Sequence, residues 1–330
     1  MSKMFWCVAG ALLLVVTCAA TAQTAKTAGQ EISLFAPHAP YSIVAARSAN
    51  ATVQRIAALK AKAESGDAKA QFLLGSKYEL GEGVPQDYAQ AAYWYRKAAQ
   101  QGEAMGQLEL GLLYRDGKGV PRSYAQAVIW IRKAAQQSVA VAQGLLGLSY
   151  CEGQGVPQDY AKGVFWFRKA ADQGEAAAQD SLGEMYADGR GVTPSFTAAS
   201  LWFRKAANQG NADAQMQLGT LYDGGLGVPQ DYAQAAIWFR KAADQGNADA
   251  QYNLGLLYLD GEGVPKDYSE AYFWLDITLA SNHSRWLFDS EFAAKERKAA
   301  ASHLTPAELS RVQERARRWF NDHVAKPPAQ

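Results

Sequence analysis

Cysteine is almost missing from this chain, with only Cys7, Cys18 and Cys151 among 330 residues. Histidine is nearly as scarce: His38, His283, His303 and His323 are scattered, and none has a partner at metal-ligand spacing. A metal centre and a histidine-activated nucleophile therefore have little to be built from, and no metal or cofactor is expected. An excess of one charge is lacking too, since 33 Lys and Arg face 32 Asp and Glu. Nucleic-acid binders normally carry a basic footprint, so none is expected as a partner. Arg311, Arg315, Arg317 and Arg318 form the one arginine cluster, and it reads as the solvated face of a helix.

Long apolar runs are confined to the first residues. Lys3 precedes the apolar stretch Met4–Val16, and Ala20-Thr21-Ala22 stands before Gln23. This pattern reads as a signal peptide, residues 1–22, cleaved between Ala22 and Gln23. Its core is shorter than the about 20 residues of a membrane helix, and no membrane span is expected after removal. A lipoprotein signal ending at Cys18 is the alternative, and Thr17 fits it poorly. Cleavage would leave Cys151 as the sole thiol, so no internal disulfide could form even in an oxidising compartment. The destination implied is periplasmic or secreted. Residues 23–50, with their Ala, Thr and Ser, read as a flexible leader.

What is abundant is repetition. Trp94, Trp130, Trp166, Trp202, Trp238 and Trp274 recur every 36 residues. A fixed period of this length means stacked copies of one supersecondary unit. The copies are 67–102, 103–138, 139–174, 175–210, 211–246 and 247–282. Glutamine at 71, 107, 143, 179, 215 and 251 keeps the same register, as does glycine at 75, 111, 147, 183, 219 and 255. Tyrosine does so at 78, 114, 150, 186, 222 and 258.

Each copy reads as two helices. The first runs over about 67–80 and is stopped by Gly81 and Gly83, with Pro85 keeping the connection extended. Asp87, Ser123, Asp159, Ser195, Asp231 and Asp267 stand as N-caps of the second helix. Gln90, Gln126, Gln234 and Glu270 stand where a capping box needs them. The glycine column predicts a crossing too close for a side chain. The run Tyr93-Trp94-Tyr95 and its equivalents predict a helix that touches its own partner and both neighbouring repeats.

The motif Gly81-Glu82-Gly83-Val84-Pro85-Gln86-Asp87-Tyr88, followed by Ala91-Ala92-Tyr93-Trp94-Tyr95-Arg96-Lys97-Ala98-Ala99, resembles Sel-1-like repeats. These are tetratricopeptide-like α-solenoids, and the resemblance covers residues 67–282. It implies an all-α fold, a right-handed superhelix of six helix-loop-helix repeats, and a scaffold or adaptor role. Thr193-Pro194 shifts the loop proline by one place, Ser138 replaces the closing glycine, and the last copy loses its Arg-Lys pair.

Such an array needs capping ends. Residues 51–66, with Val53, Ile56 and Leu59, read as an orphan second helix over the first copy. At the other end Ile277 stands where the other copies carry lysine, so a cover is expected from the 283–325 segment, with residues 326–330 as a tail. Residues 284–302, with Trp286, Leu287 and Phe292, read as one covering helix. A second starts at Thr305-Pro306 with Glu308 at N3, and its apolar face holds Leu309, Val312, Ala316, Trp319 and Phe320.

Repeated residues serve packing, so function belongs where the copies differ. A ligand site seldom needs one glutamine six times, and the glutamine column reads as a repeated structural hydrogen bond. On the first helix, positions 72, 76 and 79 vary and share one face at i, i+4 and i+7 spacing. They hold Phe72, Ser76 and Glu79; Leu108, Leu112 and Arg115; Gly144, Leu148 and Cys151; Asp180, Glu184 and Ala187; Met216, Thr220 and Asp223; Tyr252, Leu256 and Leu259. In tetratricopeptide-like arrays first helices line the concave surface, which the resemblance extends to this chain. The mixed strip suits a protein or peptide partner, and ordinary drift on a solvent face is the competing account. Cys151 itself reads as an inert, partly exposed thiol. A monomeric, non-enzymatic adaptor is therefore expected. The resemblance also admits a β-lactam- or cell-wall-active hydrolase, an activity ascribed to some exported relatives, though no nucleophile–base pair supports it. A lumenal quality-control adaptor, as eukaryotic relatives suggest, is a third possibility that the short signal disfavours.

Overall fold

The computed structural model describes residues 41–280 and 289–323, and every element among them is an α-helix. The expected signal with its Ala22–Gln23 cleavage point, most of the expected leader, Trp286, Leu287 and the tail lie outside the described residues. The chain divides into two compact units at Gln158–Asp159, inside the loop of the third repeat.

The first unit holds α1 (Tyr41–Glu64), α2 (Ala68–Leu80), α3 (Tyr88–Gln100), α4 (Ala104–Asp116), α5 (Tyr124–Gln136) and α6 (Ala140–Glu152). The second holds α7 (Tyr160–Asp172), α8 (Ala176–Asp188), α9 (Phe196–Asn208), α10 (Ala212–Gly224), α11 (Tyr232–Asp244), α12 (Ala248–Asp260), α13 (Tyr268–Ala280), α14 (Asp289–Ala301) and α15 (Pro306–His323). Within each unit successive helices pack in chain order as far as α14, which is how a solenoid stacks its hairpins, and α15 returns to pack on α13. The N-terminal helix begins at Tyr41 rather than near residue 51, because no glycine or proline interrupts 41–64.

Local chemistry sets the helix ends. Asp87 accepts from the backbone N–H of Ala89 and Gln90, and Ser123, Asp159, Ser195 and Asp231 cap in the same way. The expected reciprocal half of the capping box does not form. The cap's own N–H donates to the first helix's tyrosine carbonyl, as in Asp87 to Tyr78 at 2.9 Å and Ser123 to Tyr114 at 2.8 Å. Gln90 and its equivalents therefore have no free donor to reach. Thr305 and Glu308, by contrast, make both halves of a capping box, at 2.8 and 3.3 Å. First helices have caps of their own at Asp67, Glu103, Glu175, Asn211 and Asn247; Val139 supplies no side-chain bond.

The two loop glycines have different tasks. Gly81 closes α2 in the left-handed conformation, φ +71°. The second glycine brings repeats together: a Cβ on Gly119 would lie 2.2 Å from the Tyr88 carbonyl, and one on Gly263 would lie 2.1 Å from the carbonyl carbon of Tyr232. The loop of one repeat thus rests on the first turn of the previous repeat's second helix. The glycines inside first helices are also contact points. Here the close neighbour is mainly a side chain: a Cβ on Gly75, Gly183 or Gly219 would meet the ring of Tyr95, Phe203 or Phe239 at 2.6 Å.

Side-chain bonds join the repeats. The buried Gln71, Gln107, Gln143, Gln179, Gln215 and Gln251 each donate to the carbonyl of the alanine eight residues earlier, at 3.0–3.2 Å. Four of them accept in turn from Gln101, Gln137, Gln209 and Gln245 at 2.7–2.9 Å. The tyrosine column bonds to the preceding repeat's arginine: Arg96 to Tyr114 at 2.9 Å, Arg132 to Tyr150 at 3.2 Å, Arg240 to Tyr258 at 2.6 Å. Arg168 and Arg204 reach Tyr186 and Tyr222 similarly.

The last repeat is finished differently. Asp276 replaces the arginine and pairs with Arg297 of α14 at 2.5 Å, while Ile277 is 1% exposed in a cluster with Ala300, Val312 and Ala316. The expected cover exists, but Phe292 is 54% exposed and contributes little to it. Its position on the outer side of α14 leaves Ala293 and Ala300 facing inward.

The three-residue apolar run of the second helix is not uniformly buried, contrary to the expectation. Its third member is core, as in Tyr95, Ile131 and Phe203; the tryptophan is buried at Trp94, Trp238 and Trp274 and half-buried at Trp130, Trp166 and Trp202. The first member points outward in the first five repeats, at 44% exposure for Tyr93 and 60% for Leu201, and is buried at Phe273 in the sixth.

Candidate functional site

The variable strip lies on the first helices, one of the two surfaces each hairpin offers. It is a half-buried seam rather than an open face. In the first unit Phe72, Ser76, Glu79, Leu112, Arg115 and Leu148 are partly covered. Leu108 and Cys151 are buried at 3% and 2% and lie beneath the strip, so neither presents atoms to a partner in this conformation. Cys151 is thus a core thiol, correcting the expectation of partial exposure. In the second unit Glu184, Met216, Thr220, Tyr252 and Leu256 are partly covered, and Asp180 is buried.

Phe72 stacks on Tyr95 with ring centroids 5.8 Å apart, which fixes the ring beside the seam. The Tyr95 hydroxyl donates to Glu79 Oε2 at 2.6 Å. Burial and the Glu79 carboxylate push the Tyr95 hydroxyl far above its ordinary range. Glu109, one place beyond Leu108, is pushed up to about 7, first by burial and then by Glu79, with Arg115 opposing. Thr220 returns its hydroxyl to the Met216 carbonyl at 3.1 Å, and burial raises Asp223. These are arrangements for contact and hydrogen bonding. Among the described residues no group of three or more His, Cys, Asp or Glu is placed to hold a metal ion. His303 stacks on Tyr268 at 4.0 Å and His323 on Trp319 at 4.3 Å, both as packing partners in the second unit.

The second glutamine column, Gln101 and its equivalents, is a further contact set whose one signal in the sequence is its 36-residue recurrence. The outward column headed by Tyr93 is visible in the same way.

No helix among the described residues is long and apolar enough to cross a membrane. No curated protein matches the chain. Among solved structures it is similar to a Sel1 repeat protein from Oxalobacter formigenes, at 33% identity and TM-score 0.61, covering 66% of this chain and 89% of that one. It is also similar to c5321, a protective antigen of uropathogenic Escherichia coli, at 26% identity and TM-score 0.37, covering 83% and 88%. The immunity protein Pa5087 of Pseudomonas aeruginosa aligns at 20% identity and TM-score 0.40, covering 64% and 81%. The Sel1 repeat model matches residues 68–103, 104–139, 140–175, 176–211, 212–247 and 248–280. With well over half its length in those six matches, the chain belongs to the Sel1 repeat family.

Proposed function

We propose that this protein is an exported adaptor that binds a protein or peptide segment along the first-helix strip. One observation carries the reading: large side chains at the variable positions, among them Phe72, Leu112, Leu148, Met216, Tyr252 and Leu256, are only partly covered. The columns around them are filled by repeated packing contacts. Partly covered aromatic and aliphatic groups held on packed helices are what a docking peptide needs, since little ordering remains to oppose binding. Glu79, Arg115 and Glu184 are charged members of the strip and would set register. The adaptor acts by display, without chemistry of its own. Export rests on the Met4–Val16 stretch and the small residues before Gln23.

A photoreactive residue at position 112 of the full-length chain tests this, with cell fractionation. A discrete crosslinked protein in the exported fraction, lost when Leu148→Glu is added to an intact fold, supports the reading. Retention of the mature chain in the cytoplasm would overturn export. Turnover of a β-lactam by the purified protein, abolished by one substitution, would favour the hydrolase alternative.

A further inference from the structure

The register that fixes the tryptophan column also fixes the residue before it, and that residue does not reach the core. Phe165, Leu201 and Ile237 on α7, α9 and α11 are 52%, 60% and 47% exposed. The same column ends at Phe273 on α13, which is 2% exposed. The difference is a cover. Val312, Ala316 and Trp319 of α15 stand at i, i+4 and i+7 and join the cluster that holds Phe273 and Trp274. Trp319 meets Trp274 edge-on at 6.1 Å, and the Arg315 guanidinium lies 3.8 Å from the centroid of the Phe273 ring. The fold itself shows what closes one position of this column: an amphipathic helix.

Charge changes sign at the same place. The covered position carries Glu270 and Asp276, and its covers are basic, with Arg315 paired to Glu270 and Arg297 to Asp276. The open positions carry arginines in the Asp276 column, at 168, 204 and 240, and lysines in the column that holds Ile277. Lys169, Lys205 and Lys241 sit 5.4, 3.8 and 4.1 Å from the ring centroids of Trp166, Trp202 and Trp238. Each lysine follows its exposed apolar residue by four places and so shares its face. A helix covering these positions needs carboxylates flanking its apolar stripe, where α15 is basic. Arg240 makes the open and covered parts continuous: it lies 4.9 Å from the Trp274 ring centroid and 3.6 Å from Glu270.

The geometry points to Phe165, Leu201 and Ile237, flanked by Lys169, Lys205 and Lys241, as a docking surface for an acidic amphipathic helix of a partner protein. The partner helix seats as α15 does on Phe273. A second copy of this chain fits poorly, because ladder against ladder sets lysine against lysine, and α15 is basic and already seated. The first unit repeats the pattern, with Tyr93 and Ile129 exposed at 44% and 45% beside Lys97 and Lys133. This surface lies on second helices and stands apart from the first-helix strip, so either can fail alone.

The probe is a labelled synthetic peptide of the 18-residue α15 sequence carrying Arg311→Glu, Arg315→Glu, Arg317→Glu and Arg318→Glu. Binding to the full-length protein is read by anisotropy, beside the unaltered α15 peptide and vesicles containing anionic phosphatidylglycerol. The acidic peptide binds in a salt-dependent manner and more tightly than the basic one. Leu201→Glu with Ile237→Glu weakens it by about tenfold or more, while the melting curve stays put because both side chains are exposed. Lys205→Glu with Lys241→Glu does the same. No binding by the acidic peptide, equal binding by the basic one, or indifference to both ladder variants overturns the proposal. Ladder-dependent sedimentation with vesicles, without peptide binding, overturns it in favour of a lipid surface.

Discussion

Gln137 donates its side-chain amide to Oε1 of Gln107 at 2.9 Å, and Gln107 donates its own to the Ala99 carbonyl at 3.1 Å. Through these two side chains the second repeat's closing turn is tied to its own first helix and to the repeat before it. Gln107 is buried, so Gln107→Leu leaves the Ala99 carbonyl without its side-chain donor and Gln137 with one bond fewer. The expected loss is about 2–3 kcal/mol. Gln137→Ala, at an exposed position, should cost about 1 kcal/mol. Urea unfolding of the two variants measures the difference, and equal midpoints would contradict the bridging role of Gln107.

Gly119 and Gly102 separate steric contact from backbone strain. Both have positive φ, +67° and +90°, but a Cβ on Gly119 would meet the Tyr88 backbone at 2.2 Å and one on Gly102 would meet nothing within 4 Å. Gly102→Ala should cost about 1 kcal/mol. Gly119→Ala should cost about 3 kcal/mol or more, since backbone must move. Thermal melts of the pair check this ordering.

Ser138 occupies the slot that glycine fills at 102, 174, 210 and 246 and is the only non-glycine with positive φ among the described residues, at +65°. Open space around the equivalent Gly102, Gly174, Gly210 and Gly246 explains how a side chain is tolerated there. Ser138→Gly should raise stability by about 0.5–1 kcal/mol, the relieved strain less the added freedom of the unfolded chain. Equilibrium denaturation would show it.

Glu109 gives a pH dependence. Its carboxyl is raised to about 7 in the folded protein, by burial and by Glu79. A raised acid favours the folded state while protonated, so its contribution is complete below the unfolded value and is lost as pH rises through about 7. Wild-type protein should therefore lose up to about 2–3 kcal/mol between roughly pH 5 and pH 8 relative to Glu109→Gln. Parallel stability curves for the two proteins would contradict it.

Periodicity makes the hairpins, the second-helix caps and the need for a C-terminal cover legible in the sequence alone. Ile277 in a lysine column is sufficient for the last of these. Contacts between columns are not legible. Aligning the chain with itself says that Arg96 and Tyr114 each recur, but not that they touch across 18 positions. Nor does it say that Gln101 reaches Gln71 across 30. Such pairings depend on how far one repeat is translated and turned against the next. Burial along the strip is not legible either: Leu108 and Cys151 share a helix face with Leu112 and Leu148, yet only the first pair is buried. The outward column departs from the expectation because an apolar run is not the same as a buried run: Tyr93 and Leu201 face outward while Tyr95 and Phe203 fill the core.

The claim that the first-helix strip binds a protein partner is tested most directly by quantitative affinity capture with wild type and a Leu112→Glu, Leu256→Glu variant, each confirmed to melt cooperatively. The account predicts a defined partner recovered by wild type and depleted at least about tenfold by the variant. An unchanged set of captured proteins from a folded variant would contradict it.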